Sequence, residues 1–435
     1  MTELADRTIA ADGAAAARPD SLWRNWDFNK LWLGQSVSML GSEITSLALP
    51  LTAILVLGAS TAQIGVLGAF QSASTLALMF FAGVIVDSMR RKTLMIVTDL
   101  ARAALLALIP ILAAFDALDI SVLYVVAFLT GGLTLLFGIA YSAYVPSLLD
   151  GDELIAGNSR LQASEAVSGI FGATLGGLLV TLVRAVNAVA IDAGSFLFSA
   201  IMLRAIRTPE THLERRAQWK GLRQLVHEIV SGIRPNYQNA YLRALSLNAA
   251  ATNFTSQIVL TLFILYAARD LHLSPTAIGV IFSAGGAGGL AAAMTMGRLA
   301  TRFGFGRTFL GAAWIFKLSL AATPLVVGPH VLVIPVLVVV WGLSVFGLVI
   351  ANIAGATLQQ TVVPDELRGR IVAAHRLLSM GVLPLGALFA GFCGQALGLR
   401  GTLAIAAIAL PLTMLPLVLS PIRRLARPSD AVAEA

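Results

Sequence analysis

Glu43, in Gly41-Ser42-Glu43, stands near the middle of the apolar stretch 31–55. If that stretch lies in lipid, an ionised side chain there costs about 2.5–3.5 kcal/mol on insertion scales, so it needs a partner, a water-filled cavity or a proton. Protonated, Glu43 is a hydrogen-bond donor; deprotonated, it attracts a cation or an amine. Ser36 and Pro50 lie seven residues to either side, on the same helical face. A neutral glutamic acid bonded to a neighbouring helix also fits, so both readings stand. Asp99 and Arg102, three residues apart in the stretch 94–114, can pair along one helix face, which reads first as a structural or gate-supporting ion pair, with a proton relay as the alternative. Asp192 and Lys317 fall in further apolar stretches with no local partner, and Glu165 reads as an interfacial charge at the end of the stretch 162–183.

Charge and glycine spacing single out a second group. The loop Gly83-Val-Ile-Val-Asp87-Ser-Met-Arg90-Arg91-Lys92 sets one carboxylate beside three cations, and Asp87 can face the N-terminus of a neighbouring helix and be released when packed helices move. A weaker copy contains Gly297, Arg302 and Arg307, with Thr301 at the place of Asp87. Gly169, Gly172, Gly176 and Gly177 are spaced to let two helix backbones approach closely, which reads first as packing. Gln35, Gln71, Tyr141, Asn253, Gln257, Trp341 and Asn352 add uncharged polar and aromatic groups to apolar stretches. That mixture suits an amphipathic organic molecule better than a sugar or a phosphate.

Other chemistries lack their residues. None of the four lysines, Lys30, Lys92, Lys220 and Lys317, sits in a phosphate-binding glycine loop, so ATP hydrolysis is not expected on this chain. The five histidines are scattered, with no metal-ligand spacing, and the lone Cys393 forms neither a disulfide nor a cysteine-based zinc site. No cofactor, no metal and no enzymatic activity are expected. A membrane-embedded enzyme or sensor is the remote alternative.

These residues must be positioned by helices in lipid. Of 435 residues, 57% are hydrophobic and 12% charged, with mean hydropathy +0.83, against roughly 25% charged in soluble domains. That excludes an ordinary cytosolic enzyme, a nucleic-acid-binding protein and a disordered scaffold. Twelve apolar segments follow one another, at 31–55, 62–86, 94–114, 121–145, 162–183, 187–205, 242–267, 276–299, 308–328, 331–356, 371–397 and 401–420. The pair flanking Gly328-Pro329-His330 has the least distinct boundary. The net charge of +7 follows sidedness: with both termini on one face, Arg184, Arg269 and Arg400 are the loop cations left on the other. The positive-inside rule then places both termini in the cytoplasm.

An internal repeat divides the chain. Gly83 and Gly297 are offset by 214 residues, Asp152-Glu-Leu and Asp365-Glu-Leu by 213, and Gly172-Ala-Thr-Leu-Gly-Gly177 matches Gly386-Ala-Leu-Phe-Ala-Gly391 at 214. Six segments separate the copies, so the halves are related by an axis along the membrane normal. The expected divisions are a disordered tail at 1–22, a six-helix bundle at 23–205, a linker at 206–241 with an amphipathic helix over 219–230, a second bundle at 242–421, and a tail at 422–435.

The Gly83 to Lys92 run, its second copy, the twelve segments and the six-plus-six repeat resemble the major facilitator superfamily across nearly the whole chain. Val363-Pro-Asp-Glu-Leu-Arg-Gly-Arg370, Gly157-Asn158 and Gly221-Leu-Arg are similar to the bacterial drug-proton antiporter branch that includes macrolide-type efflux proteins and the enterobactin exporter. The resemblance implies an all-α, twelve-helix transporter of the bacterial inner membrane, expected to be a monomer, that exports an amphipathic molecule in exchange for protons. It gives a conformational gate to Gly83, Asp87, Arg90 and Arg91, and the protonation of Glu43 is the chemistry a proton-coupled exporter needs. Where antiporters carry a Gly-Pro pair in the fifth helix, this chain has Gly172-Ala173. A siderophore or other metabolite is the alternative cargo.

Overall fold

A computed structural model describes residues 20–149, 151–210, 221–364 and 367–433. Its long helices are α2 (Trp26–Leu55), α3 (Thr61–Ser88), α4 (Arg91–Ala114), α5 (Ile120–Tyr144), α6 (Gly151–Val183) and α7 (Ala185–Arg204), then α9 (Ala240–Arg269), α10 (Pro275–Phe303), α11 (Phe305–Ala321), α12 (His330–Val362), α13 (Arg368–Met380) and α14 (Leu383–Leu412). Short α1 (Asp20–Arg24) precedes them, and α8 (Gly221–Gln238) lies between the two sets. Among the described residues eleven segments are long and apolar enough to cross a membrane; the last, Arg368–Val418, is 51 residues long and holds two crossings. It breaks at Gly398, whose φ of 79° interrupts the helix. The described chain is thus all-α, with twelve crossings.

Helices α2 to α7 pack among themselves and α9 to α14 do the same; the sets meet mainly through α6 against α10 and α3 against α14. The repeat governs detail down to single hydrogen bonds. Asn25 and Asn239 cap α2 and α9, and Ser60 and Ser274 cap α3 and α10, each pair offset by 214. Gly58 and His272 share a positive φ, as do Arg184 and Gly398, at the same offset. The turn bond from Ala59 N to Ala53 O recurs from Leu273 N to Ala267 O, both at 2.9 Å.

Some boundaries differ from the sequence reading. Residues 1–19 of the tail expected over 1–22 lie outside the described residues; its end forms α1, because Leu22 has a hydrophobic cluster with Phe28 and Leu31 to enter. Gly83 to Asp87 belong to α3, not to a loop: the Val-Ile-Val run continues the helix to Ser88, and the connection shrinks to Met89-Arg90. Trp219 and Lys220 of the expected linker helix lie outside the described residues, and α8 runs on to Gln238. Residues 308–328 and 331–356 are separate crossings, parted by a 3-10 turn at Thr323–Leu325 and by Gly328 at φ 129°.

Candidate functional site

Glu43 lies on the face of α2 that meets α6, and the packing glycines explain how it fits. A Cβ on Gly172 would stand 2.5 Å from Glu43 Cβ, and one on Gly176 would stand 3.0 Å from Ile44 Cα, so both glycines admit α2. The offset image recurs in the second half, where a Cβ on Gly386 would stand 3.0 Å from Gln257 Cβ. Glu43 and Gln257, 214 residues apart, line one cavity of about 320 Å³ between the halves. Ser46, Gln71 and Thr261 supply its other polar groups; Leu47, Pro50, Ile64, Leu67, Ile264 and Phe282 give it apolar walls. Glu43 is the single ionisable side chain among the described lining residues, and no described residue hydrogen-bonds its carboxylate. Gln257 is held by a bond from Nε2 to Thr261 Oγ1 at 3.1 Å. Glu165, exposed on α6, is near enough to interact electrostatically with Glu43.

The cavity is closed at the end bearing the short loops 56–60 and 270–274. There Gly65 packs on the Ala387 carbonyl and Gly279 on the Ala173 carbonyl, contacts that are images of each other at offset 214. Gly177 adds a contact with Pro275, and Gly286 packs on Gly169, whose own Cα side is open. Ser283 Oγ accepts bonds from Thr174 N at 3.0 Å and Thr174 Oγ1 at 2.7 Å, and Arg269 Nη2 reaches Ala59 O at 2.8 Å. At the other end, which bears the termini, Gly83 and Gly297 have open space around them.

The residues expected to form the gate lie at that open end. Asp87 is exposed at the last turn of α3 and does not cap α4. Glu210 takes that place, accepting from Arg91 N at 2.9 Å and Lys92 N at 3.4 Å, where first-turn N–H groups favour an anion. The sequence reading missed Glu210 because it follows α7, far from α4 along the chain. Arg91 Nη1 donates to Ala143 O at 2.7 Å, and Arg90 is exposed beside it. In the second half, Arg302 and Arg307 are exposed and the Thr301 hydroxyl turns back onto Gly297 O and Arg298 O.

The ion pair forms as expected: Arg102 binds Asp99 through Nη2 and Oδ1, both residues buried. Asp192, without an evident partner in sequence, lies beside that pair, and Lys317 finds Asn248 Oδ1 at 2.6 Å.

The expected path residues separate. Gln71 and Gln257 line the central cavity. Tyr141 lines a smaller space inside the first half, with Met39, Leu161 and Glu165. Asn253 is spent on the Ser379 carbonyl at 2.8 Å. Trp341 is buried against Phe263 and Phe282, with centroids 4.5 and 4.6 Å apart. Gln35 turns inward and Asn352 outward, and neither reaches the cavity. Helical phase decides this, since residues on one helix share the cavity only when they share its face.

The family profile described as transmembrane secretion effector matches residues 20–433. Among characterised relatives, the multidrug efflux pump Tap of Mycolicibacterium fortuitum is 29% identical over 80% of this chain and 84% of its own length. Macrolide efflux protein A of Streptococcus pyogenes is 26% identical, covering 88% and 95%. Among solved structures, a bacterial homologue of the iron transporter ferroportin in its inward-facing state superposes with a TM-score of 0.70, at 17% identity over 90% of this chain and 98% of that one, a likeness of fold.

Proposed function

The chain belongs to the transmembrane secretion effector family of major facilitator transporters, and from that premise we propose that it exports amphipathic organic molecules through the cavity between its halves, in exchange for protons carried by Glu43. Efflux is supported by the relatives, which are named as multidrug and macrolide efflux proteins. Proton coupling is supported by one observation: among the described residues, the cavity lining has a single carboxylate, unbonded, in a wall otherwise apolar or uncharged. Such a group holds a proton or a cationic cargo in turn, because an uncompensated charge is costly there.

The cationic loops support a reading in which the termini end faces the cytoplasm of a bacterial inner membrane. The cavity is then sealed from the outside by the glycine contacts of α3 with α14 and α6 with α10, and Asp87 is exposed at the separated inner end. In the alternating cycle the inner ends close, bringing Asp87 and Arg91 against the opposing half while the outer glycine contacts part. Outside protons load Glu43 and displace cargo; the proton leaves inside.

Everted membrane vesicles with an acid interior, supplied with labelled erythromycin as an amphipathic amine, test the assignment. The wild-type chain accumulates the label and E43Q does not, at equal expression. Accumulation by E43Q equal to wild type would sink the role of Glu43. Equal accumulation with and without the gradient would sink proton coupling.

A further inference from the structure

Behind Glu43, on the side of α2 away from the cavity, lies a charge cluster that the transport path does not use. Asp99, Arg102 and Asp192 are 0%, 3% and 1% exposed. Arg102 pairs with Asp99 through Nη2, donates to Thr134 Oγ1 at 3.3 Å through Nη1, and is held between the rings of Phe137 and Phe196 at 4.6 and 4.1 Å. Its Nε and the Asp99 Oδ2 have no partner among the described residues. Asp192 interacts electrostatically with both and accepts from Ser195 Oγ at 2.8 Å. Gly41 of α2 presses on the Asp192 carboxylate so closely that a Cβ there would collide with Oδ1.

Two carboxylates and one guanidinium, all ionised, leave one net negative charge buried among the hydroxyls of Thr45, Thr134, Ser195 and Ser199 and the rings of Phe137 and Phe196, and one bound proton removes it. Other titratable groups stand apart. On α5, Tyr141 stacks on Phe137 with centroids 6.1 Å apart and lines the separate space with Met39 and Glu165. On α2, Glu43 faces the cavity, whereas Gly41 and Thr45 face Asp192. On α6, Glu165 is exposed, and on α3, Asp87 is exposed at the helix end.

We propose that Asp99, Arg102 and Asp192 form a second proton-binding site, one proton shared by the two carboxylates around the guanidinium, with α2 as the element between this site and the cavity. The link to transport rests on the proton-exchange reading of Glu43; the bound proton does not. Gly41 and Glu43 are two residues apart on one rigid helix, so a shift of Asp192 on losing its proton displaces α2 at both faces.

The test is infrared titration of the purified full-length chain in lipid, following the carbonyl stretch of protonated carboxylic acids in H2O and D2O. Wild type and E43Q should both retain a buried, slowly exchanging carboxylic-acid band at neutral pH. D192N and D99N should each lose it, since one carboxylate and one guanidinium are neutral without a proton. Should D192N fail to fold, D192E serves: its band should shift in frequency or in titration midpoint. A band unchanged in D99N and D192E, or absent from wild type, overturns the site. Loss of the band in E43Q alone would assign the proton to Glu43 and overturn this inference while leaving the transport reading intact.

Discussion

Glu43 and Gln257 occupy equivalent places in the two halves, each fitted against a glycine of the facing helix, Gly172 or Gly386, and each lining the same cavity. The backbone that holds them is repeated; the chemistry is not. One half presents a carboxylic acid, the other its amide, which has nearly the same shape and cannot exchange a proton at neutral pH. The same asymmetry runs behind them. Where the first half buries Asp99, Arg102 and Asp192, positions 313, 316 and 406 of the second hold Ala313, Phe316 and Ala406. The second half buries Lys317 instead, against an asparagine. The residues read as a gate repeat the pattern, with Thr301 at the place of Asp87. A duplicated scaffold thus gives both halves matching helix contacts, while ionisable groups are concentrated on one side of it.

Making the halves alike is the strongest way to break this comparison. E43Q should reduce gradient-driven export by at least about 100-fold, if proton exchange contributes on the scale of acid-base groups elsewhere, and should flatten its dependence on pH; uptake into everted vesicles measures both. The double swap E43Q/Q257E asks whether the cradle alone suffices, and restored pH-dependent export would show that the halves are interchangeable. Next in size is the buried cation. R102M strands two carboxylates in the interior and should lower stability by about 3–5 kcal/mol, whereas K317M, which removes a cation lacking a carboxylate partner, should be near neutral; thermal unfolding in detergent separates the two. G172V should cost about 1–3 kcal/mol by forcing α6 from α2, and G386A a similar amount, since its Cβ would stand 2.6 Å from the Phe254 carbonyl oxygen and 3.0 Å from Gln257 Cβ. The smallest effect on stability belongs to D87N, which alters an exposed carboxylate. It should leave the melting temperature and ligand binding unchanged while slowing export; loss of binding would move Asp87 out of the gate.

Much of this arrangement is legible in the sequence, through particular residues. The offset of 214 between Gly83 and Gly297, applied to Glu43, lands on Gln257, so the paired cavity positions follow from arithmetic alone. Asp99 and Arg102 pair because three residues on a helix bring side chains together. Asp192 and Glu210 escaped because their partners come from helices distant in the chain, and no local spacing records such a meeting. Asn253 and Trp341 misled for the converse reason: a polar or aromatic residue in a crossing serves a carbonyl or a neighbouring ring as readily as a cavity.

The sequence by itself determined the solvent, the number of crossings, the duplication and the placing of charge toward one end, because hydrophobic length, repeat offset and loop cations are properties of the chain alone. Only the tertiary structure decided which end is sealed, that Glu43 is the lone carboxylate among the described residues lining the cavity, and that Asp192 stands against Gly41 behind it. Those facts depend on how one helix is rotated against another, and rotation is set by the glycines and bulky side chains of both partners together.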